Sequence, residues 1–311
     1  MNIETALESV EIKNKKQQKT GFRKFKDSVM KKIIYFVAAF NIIIVFLIFL
    51  FILKNSTKFF DEYSIVKFFS GKEWISLSEI YGLLPLLAGS AWVTFIALVI
   101  AVPISVITAV YISKFANKNM RETLKIIIET MAAIPSVVLG YIGLAVIAGP
   151  IQQMFNLNTG LTAFTGGAIL AFMALPTMIS IADDAIRALD ESYEKASLAL
   201  GANRIQTIVK VILPAAFPGI FAGIMLGFGR IIGETMTVLM VTGNAANITT
   251  NPLMPVRTMT ATIAAEMGEV VNGSAHYYSL FTIGLVLFGI TFMTNTLADF
   301  FINKARKKMK G

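Results

Sequence analysis

The chain has 311 residues, 55% of them hydrophobic and 15% charged, with a mean hydropathy of +0.69. That leaves too little charge to clothe a water-soluble domain, so the bilayer is the expected solvent. There is no cysteine and one histidine, His276, which excludes a disulfide framework, a thiolate metal site and a histidine cluster. The formal charge of +9 does not point to nucleic acid, because the basic residues flank long apolar runs and there orient a membrane protein.

A hydrocarbon core of about 30 Å needs about 20 apolar residues in helical form. Six stretches meet that requirement, at about 33–53, 84–112, 126–148, 160–182, 218–242 and 279–302, which predicts an all-α integral membrane fold with six transmembrane helices. The organisation expected is a basic tail at 1–32, a first helix and external loop at 33–83, a transmembrane domain at 84–302 and a second basic tail at 303–311. No small-residue cleavage pattern follows the first span, so it reads as a retained anchor. Lys and Arg divide 22 against 5 between alternate loops, with Arg230 inside a span. The positive-inside rule then places both termini in the cytoplasm. Pro103, Pro135 and Pro176 fall inside spans, where a proline kinks a helix and frees a carbonyl that neighbours must satisfy.

Residues 183–217 form the largest loop on the positive side after the tail. Their first part has helical period, Gly201 permits the left-handed backbone that ends a helix, and 204–213 supply a second short helix closed by Pro214. The result expected is a protruding elbow that a partner protein could push or pull.

Span five carries Arg230 and Glu234. Each costs about 2.5–3.5 kcal/mol at the bilayer centre on insertion scales, so their presence wants a cause. In a continuous helix they lie four apart on one face and can pair. Gly219, Gly223 and Gly227 recur every fourth residue and make a groove for close helix approach, and the charged pair lies only about 20° round the helix from it. Protein or a water-filled cavity, not lipid, is therefore expected beside the pair, with Thr235 and Thr237 as nearby hydroxyls. Beyond it, 259–271 is too polar to span and reads as an amphipathic or re-entrant helix, with Glu266, Glu269 and His276 expected to be rim or solvated residues.

The run from Lys195 to Pro214 resembles the coupling loop of bacterial ABC importer permeases, in which Glu-Ala-Ala is followed by a Gly, nine residues, an Ile, one residue and Leu-Pro. Here Lys195-Ala196-Ser197, Gly201, Val211, Leu213 and Pro214 fall at that spacing, with Ala202 after the glycine. One departure is that the acidic position falls on Lys195, with Glu194 one place earlier. The run Gly229-Arg230-Ile231-Ile232-Gly233-Glu234-Thr235-Met236 is similar to that of phosphate-specific transport permeases, as are 258–269 and Pro135-Ser136-Val137-Val138. The glutamate after the arginine, with Met236 after Thr235, favours the PstC-type subunit over its PstA-type partner.

This resemblance implies a type I ABC importer permease fold in a bacterial cytoplasmic membrane. Arg230, Glu234 and Thr235 would serve translocation, and Glu194 to Ser197 with Gly201, Ala202, Val211, Leu213 and Pro214 would seat an ATPase. It also implies as partners a second homologous permease, a dimer of ATP-binding subunits, an extracytoplasmic phosphate-binding protein and the lipid bilayer, with phosphate as cargo. The chain has no Gly-x-x-x-x-Gly-Lys-Ser/Thr loop, so a separate ATPase must supply the work. No catalytic residue, metal or cofactor is implied. The rivals are a PstA-type subunit or a permease for molybdate or sulfate. Further off lie a secondary transporter driven by an ion gradient, which leaves the elbow unexplained, and a membrane scaffold or sensor.

Overall fold

A computed structural model describes the backbone of residues 3–310 and the side chains of 28–304. Two compact units divide the chain, 1–54 and 55–311. Helix α1 (Ile3–Glu62) accounts for the first. From 28 to 48 its described side chains are exposed on every face, including Phe36 and Ile42, as suits a helix whose solvent is lipid.

The second unit opens with α2 (Ile65–Ser70) and a two-stranded hairpin of β1 (Trp74–Ile75) and β2 (Ile80–Tyr81), in which Trp74 faces Tyr81. Helix α3 (Leu84–Val110) follows and ends in a π turn, Tyr111–Phe115. Next come α4 (Lys118–Ala132), α5 (Ser136–Ile142), which runs through a π turn (Gly143–Ile147) into α6 (Ala148–Met154), and α7 (Ala163–Arg187). The elbow contains α8 (Glu191–Ala199) and α9 (Arg204–Thr207). Helices α10 (Leu213–Ile232), α11 (Met236–Val241), α12 (Met259–Glu266) and α13 (Ala275–Lys310) complete the chain. Among the described residues six helices are long and apolar enough to cross a membrane: Ser28–Glu62, Leu84–Phe115, Ser136–Met154, Ala163–Arg187, Arg204–Ile232 and Ala275–Lys304.

Three of the expected boundaries are corrected. Span three begins at Ser136, not near 126, because Pro135 drives Ile134 out of helical backbone and breaks the run. The segment before it forms the separate helix α4, capped by the Asn117 side chain on the Met120 amide. Pro214 does not close the second elbow helix. A π turn (Ile208–Ile212) carries the chain from α9 into α10, and the Leu213 amide reaches back to the Ile208 carbonyl. The proline then sits in the first turn of α10, where a missing N–H costs little. Span five ends at Ile232, so the chain from 233 to 235 is a break and α11 is a new helix.

Packing follows residue size. Helices α3, α5, α7 and α11 share a core that includes Val93, Ala97, Leu139, Leu170, Ala174 and Val241, with small side chains letting backbones approach. One end of the unit is held by an aromatic cluster of Phe59, Phe68, Trp74 and Tyr81 with Leu86, Met259 and Leu280. At the elbow end Ile112, Ile128, Ile179, Ile186, Ile212 and Ile220 interlock.

Candidate functional site

The glycines of α10 set its register against α7. A Cβ on Gly219 would lie 2.4 Å from the Ala185 Cβ, one on Gly223 3.1 Å from the Ile181 Cβ, and one on Gly227 2.1 Å from the Met178 Cε. The expected groove therefore exists, and α7 fills it in antiparallel register. One further turn along, that register brings Arg230 to Thr177: the guanidinium Nη1 donates to Thr177 Oγ1 at 3.3 Å. Arg230 is part-buried in the last turn of α10.

Glu234 has other partners. Past Gly233 the helix has ended, so the carboxylate is not carried round the α10 face as an uninterrupted helix would carry it. Its Oε1 accepts from the Thr237 amide at 3.2 Å and lies 3.3 Å from the Thr237 hydroxyl, which is 3.0 Å from the Ser136 carbonyl. Its backbone carbonyl accepts from the Thr260 hydroxyl at 2.7 Å. The Thr235 hydroxyl turns back onto the Gly233 carbonyl. Among the described residues no carboxylate lies within 4.0 Å of Arg230, so the anticipated ion pair is not formed in this conformation. Two interrupted spans meet here, since Thr237 opens α11 beside the start of α5. Sequence reading had Thr237 only as a nearby hydroxyl and missed Thr177 and Thr260, whose partners lie 53 and 26 residues away.

The elbow is tied to the end of span two. Asp190 caps α8 by accepting from the Ser192 amide at 2.7 Å, which holds its carboxyl below the usual carboxylate range. Glu194 faces inward and pairs with Lys114 at 2.6 Å. Lys195 lies on the exposed side and pairs with Glu191. Gly201 has φ +84, the left-handed backbone anticipated for the helix end. Across that turn the buried Ser197 hydroxyl meets Thr207 at 2.9 Å. Asn203 and Gln206 form a capping box on α9, a local signal that sequence reading passed over. Arg204 donates to the Lys114 carbonyl and stacks over the Phe115 ring. The result is a braced arm with a cavity of about 440 Å³ between its two helices, lined by Tyr193, Ala196, Ser197, Ala202, Gln206 and Val211 among others. Leu213 and Pro214 lie just beyond it, in the first turn of α10.

A third cluster corrects an expectation at the opposite end. Glu266 is not a solvated rim residue: its side chain is 13% exposed and pairs with Arg257 and His276, each at 2.7 Å. It also accepts from the Trp74 indole at 3.1 Å. His276 stacks on Tyr81. Burial, with Glu79 and Glu266 adding their charge, pushes the Tyr81 phenol up to about 12. Glu269 is exposed, as anticipated.

Residues 101–307 match the family model described as "Binding-protein-dependent transport system inner membrane component". The chain is 38% identical over 213 residues to "Probable ABC transporter permease protein YqgH" of Bacillus subtilis, covering 68% of this chain and 69% of that protein. It is 32% identical over 254 residues to the phosphate transport system permease protein PstC of Mesorhizobium japonicum, covering 76% and 77%. Among solved structures, a chain of a bacterial alginate ABC transporter superposes with a TM-score of 0.60 at 15% identity, covering 88% of this chain and 94% of that one. A chain of the MetNI methionine ABC transporter gives 0.53 at 19% identity, covering 72% and 94%. At such identities the two structures speak for the fold. This chain thus belongs to the binding-protein-dependent transport system inner membrane components, multi-pass membrane proteins with the type I ABC importer permease fold.

Proposed function

We propose that this chain is the PstC-type permease of an ATP-driven importer and moves inorganic phosphate across the cytoplasmic membrane. The observation that carries the reading is Arg230: a guanidinium within a membrane span, held at the α7–α10 seam by a neutral hydroxyl and by no carboxylate among the described residues. A cation in hydrocarbon needs a counter-charge, and here the passing anion supplies it. Near neutral pH phosphate carries one to two negative charges, and an arginine fork offers two donors at once in place of lost water. Release requires that the site not hold too tightly. Glu234, four residues on and fastened at the break by Thr237 and Thr260, is placed to compete for the guanidinium when the break rearranges. The relatives named phosphate transport system permeases support the choice of anion.

In this reading the braced elbow is the seat of a separate ATP-binding subunit dimer, and a second homologous permease completes the pathway. An extracytoplasmic phosphate-binding protein meets the end that carries Trp74, Arg257 and Glu266. Both termini then lie in the cytoplasm, a placement that the distribution of Lys and Arg supports. Uptake of labelled phosphate by the reconstituted complex tests this. Uptake should follow ATP, ignore a protonophore and vanish in Arg230→Gln while assembly persists. Preferred uptake of molybdate or sulfate, or collapse of uptake with the proton gradient, would refute it.

A further inference from the structure

Thr177, like Ser90 and Ser180, is a hydroxyl residue of the spans that does not bond back onto its own helix among the described residues, and it differs from them in facing a guanidinium. A serine or threonine inside a helix ordinarily turns its O–H onto a carbonyl one turn back. Ser113 does so to Ala109, Thr242 to Val238, Thr282 to Tyr278 and Thr294 to Ile290. Thr177 shows no such bond among the described residues; its recorded partner is Arg230, for which it is the acceptor. An accepting hydroxyl keeps its proton free to donate. The position is set by packing, because Met178 fills the notch at Gly227, which leaves its neighbour facing the arginine three residues further along α10.

We propose that Thr177 is a second, uncharged member of the anion site: its oxygen holds the Arg230 guanidinium while its O–H donates to the bound anion. This rests on the permease reading above. The chemistry explains the residue type. An aspartate at 177 would neutralise the guanidinium and exclude an anion, and an alanine would leave it undirected. A hydroxyl orients the cation without cancelling its charge and adds one donor that an oxyanion oxygen can accept.

The test uses the full complex in proteoliposomes with Thr177→Val, which keeps the shape and loses the hydroxyl, and Thr177→Ser, which keeps the hydroxyl. For labelled phosphate, Thr177→Val should raise KM about three- to tenfold, the range expected for one lost hydrogen bond, with maximal rate within about twofold. Thr177→Ser should restore the wild-type KM. In parallel, phenylglyoxal modification of Arg230 is followed by peptide mass spectrometry in the presence of phosphate, sulfate or molybdate. Thr177→Val should need about three to ten times more of the protecting anion. An unchanged KM and protection in Thr177→Val, or equal loss of maximal rate in both variants with KM intact, would overturn the proposal and leave Thr177 a packing residue. Protection of wild-type Arg230 by sulfate or molybdate but not phosphate would sink the phosphate reading alone, and Thr177 would then be judged with the protecting anion. If none of the three protects Arg230, both fall.

Discussion

Gly219→Ala measures how firmly the α7–α10 seam is closed. The added methyl would sit 2.4 Å from the Ala185 Cβ, where two such carbons prefer about 3.5–4.0 Å. Neither group has a flexible end that could swing aside, so the helices must part by more than an ångström at that level. Overpacking of this kind costs about 1–3 kcal/mol, against a gain of about 1 kcal/mol from replacing glycine by alanine within a helix. Gly229→Ala, in the same helix, earns the same propensity with nothing within 4 Å of the new methyl. The difference between the two variants isolates the steric term at about 1–3 kcal/mol. Gly227→Ala should fall between them, since the atoms it meets belong to the longer Met178 side chain. Thermal unfolding of the detergent-purified chain, followed by intrinsic fluorescence, gives the order. If Gly219→Ala melts at or above Gly229→Ala, α7 and α10 do not pack in the register described.

Three further outcomes follow from single contacts. Asp183 is 1% exposed and lies 2.6 Å from Arg187 and 3.4 Å from Lys125; Arg187→Met should destabilise the chain by about 1–3 kcal/mol, less than a fully buried pair because both cations are part-exposed, and adding Asp183→Asn should recover stability in denaturant unfolding. The Tyr81 phenol, raised to about 12 by burial first and by Glu79 and Glu266 next, contributes no pH dependence below the ordinary tyrosine value near 10; between pH 10 and 12 the unfolded phenol ionises first, so stability falls as pH rises, and Tyr81→Phe should remove that part of the slope in unfolding measured from pH 9 to 12. Glu194→Gln and Lys114→Met should each uncouple ATP hydrolysis from uptake in the reconstituted complex with a small stability change, about 1 kcal/mol or less for a pair that is partly exposed, and the double variant should be no worse than either, as contact between the two requires.

What could be read from the sequence depended on how far the controlling interaction reaches. Hydropathy reports on solvent, so the helices near 33–53, 84–112 and 279–302 could be placed from local composition alone, and the four-residue glycine spacing of α10 announced a helix packed against it. Prolines were ambiguous because their cost depends on context. Pro135 starts a helix instead of kinking one, and Pro214 is absorbed by the π turn before it. The polar residues of 257–276 looked solvated because the partner that buries Glu266 most distantly, Trp74, is 192 residues away, beyond any local pattern.

In the proposed reading, the break after Ile232 does something that an unbroken helix would not. Had α10 continued, Arg230 and Glu234 would face the same way one turn apart, and in a low-dielectric span a carboxylate that near would hold the guanidinium against any incoming anion. Ending the helix at Gly233 separates the charges without removing either. The carboxylate is taken up by Thr237, and the guanidinium is left to a hydroxyl. Both partners are neutral, so neither charge is cancelled. Bringing Glu234 round to Arg230 requires rearranging three residues of chain, 233–235, between helices that are otherwise packed. If this is the anion site proposed above, it must bind at one stage and let go at the next, and a glycine ending a helix beside two threonines would supply that choice with few moving parts.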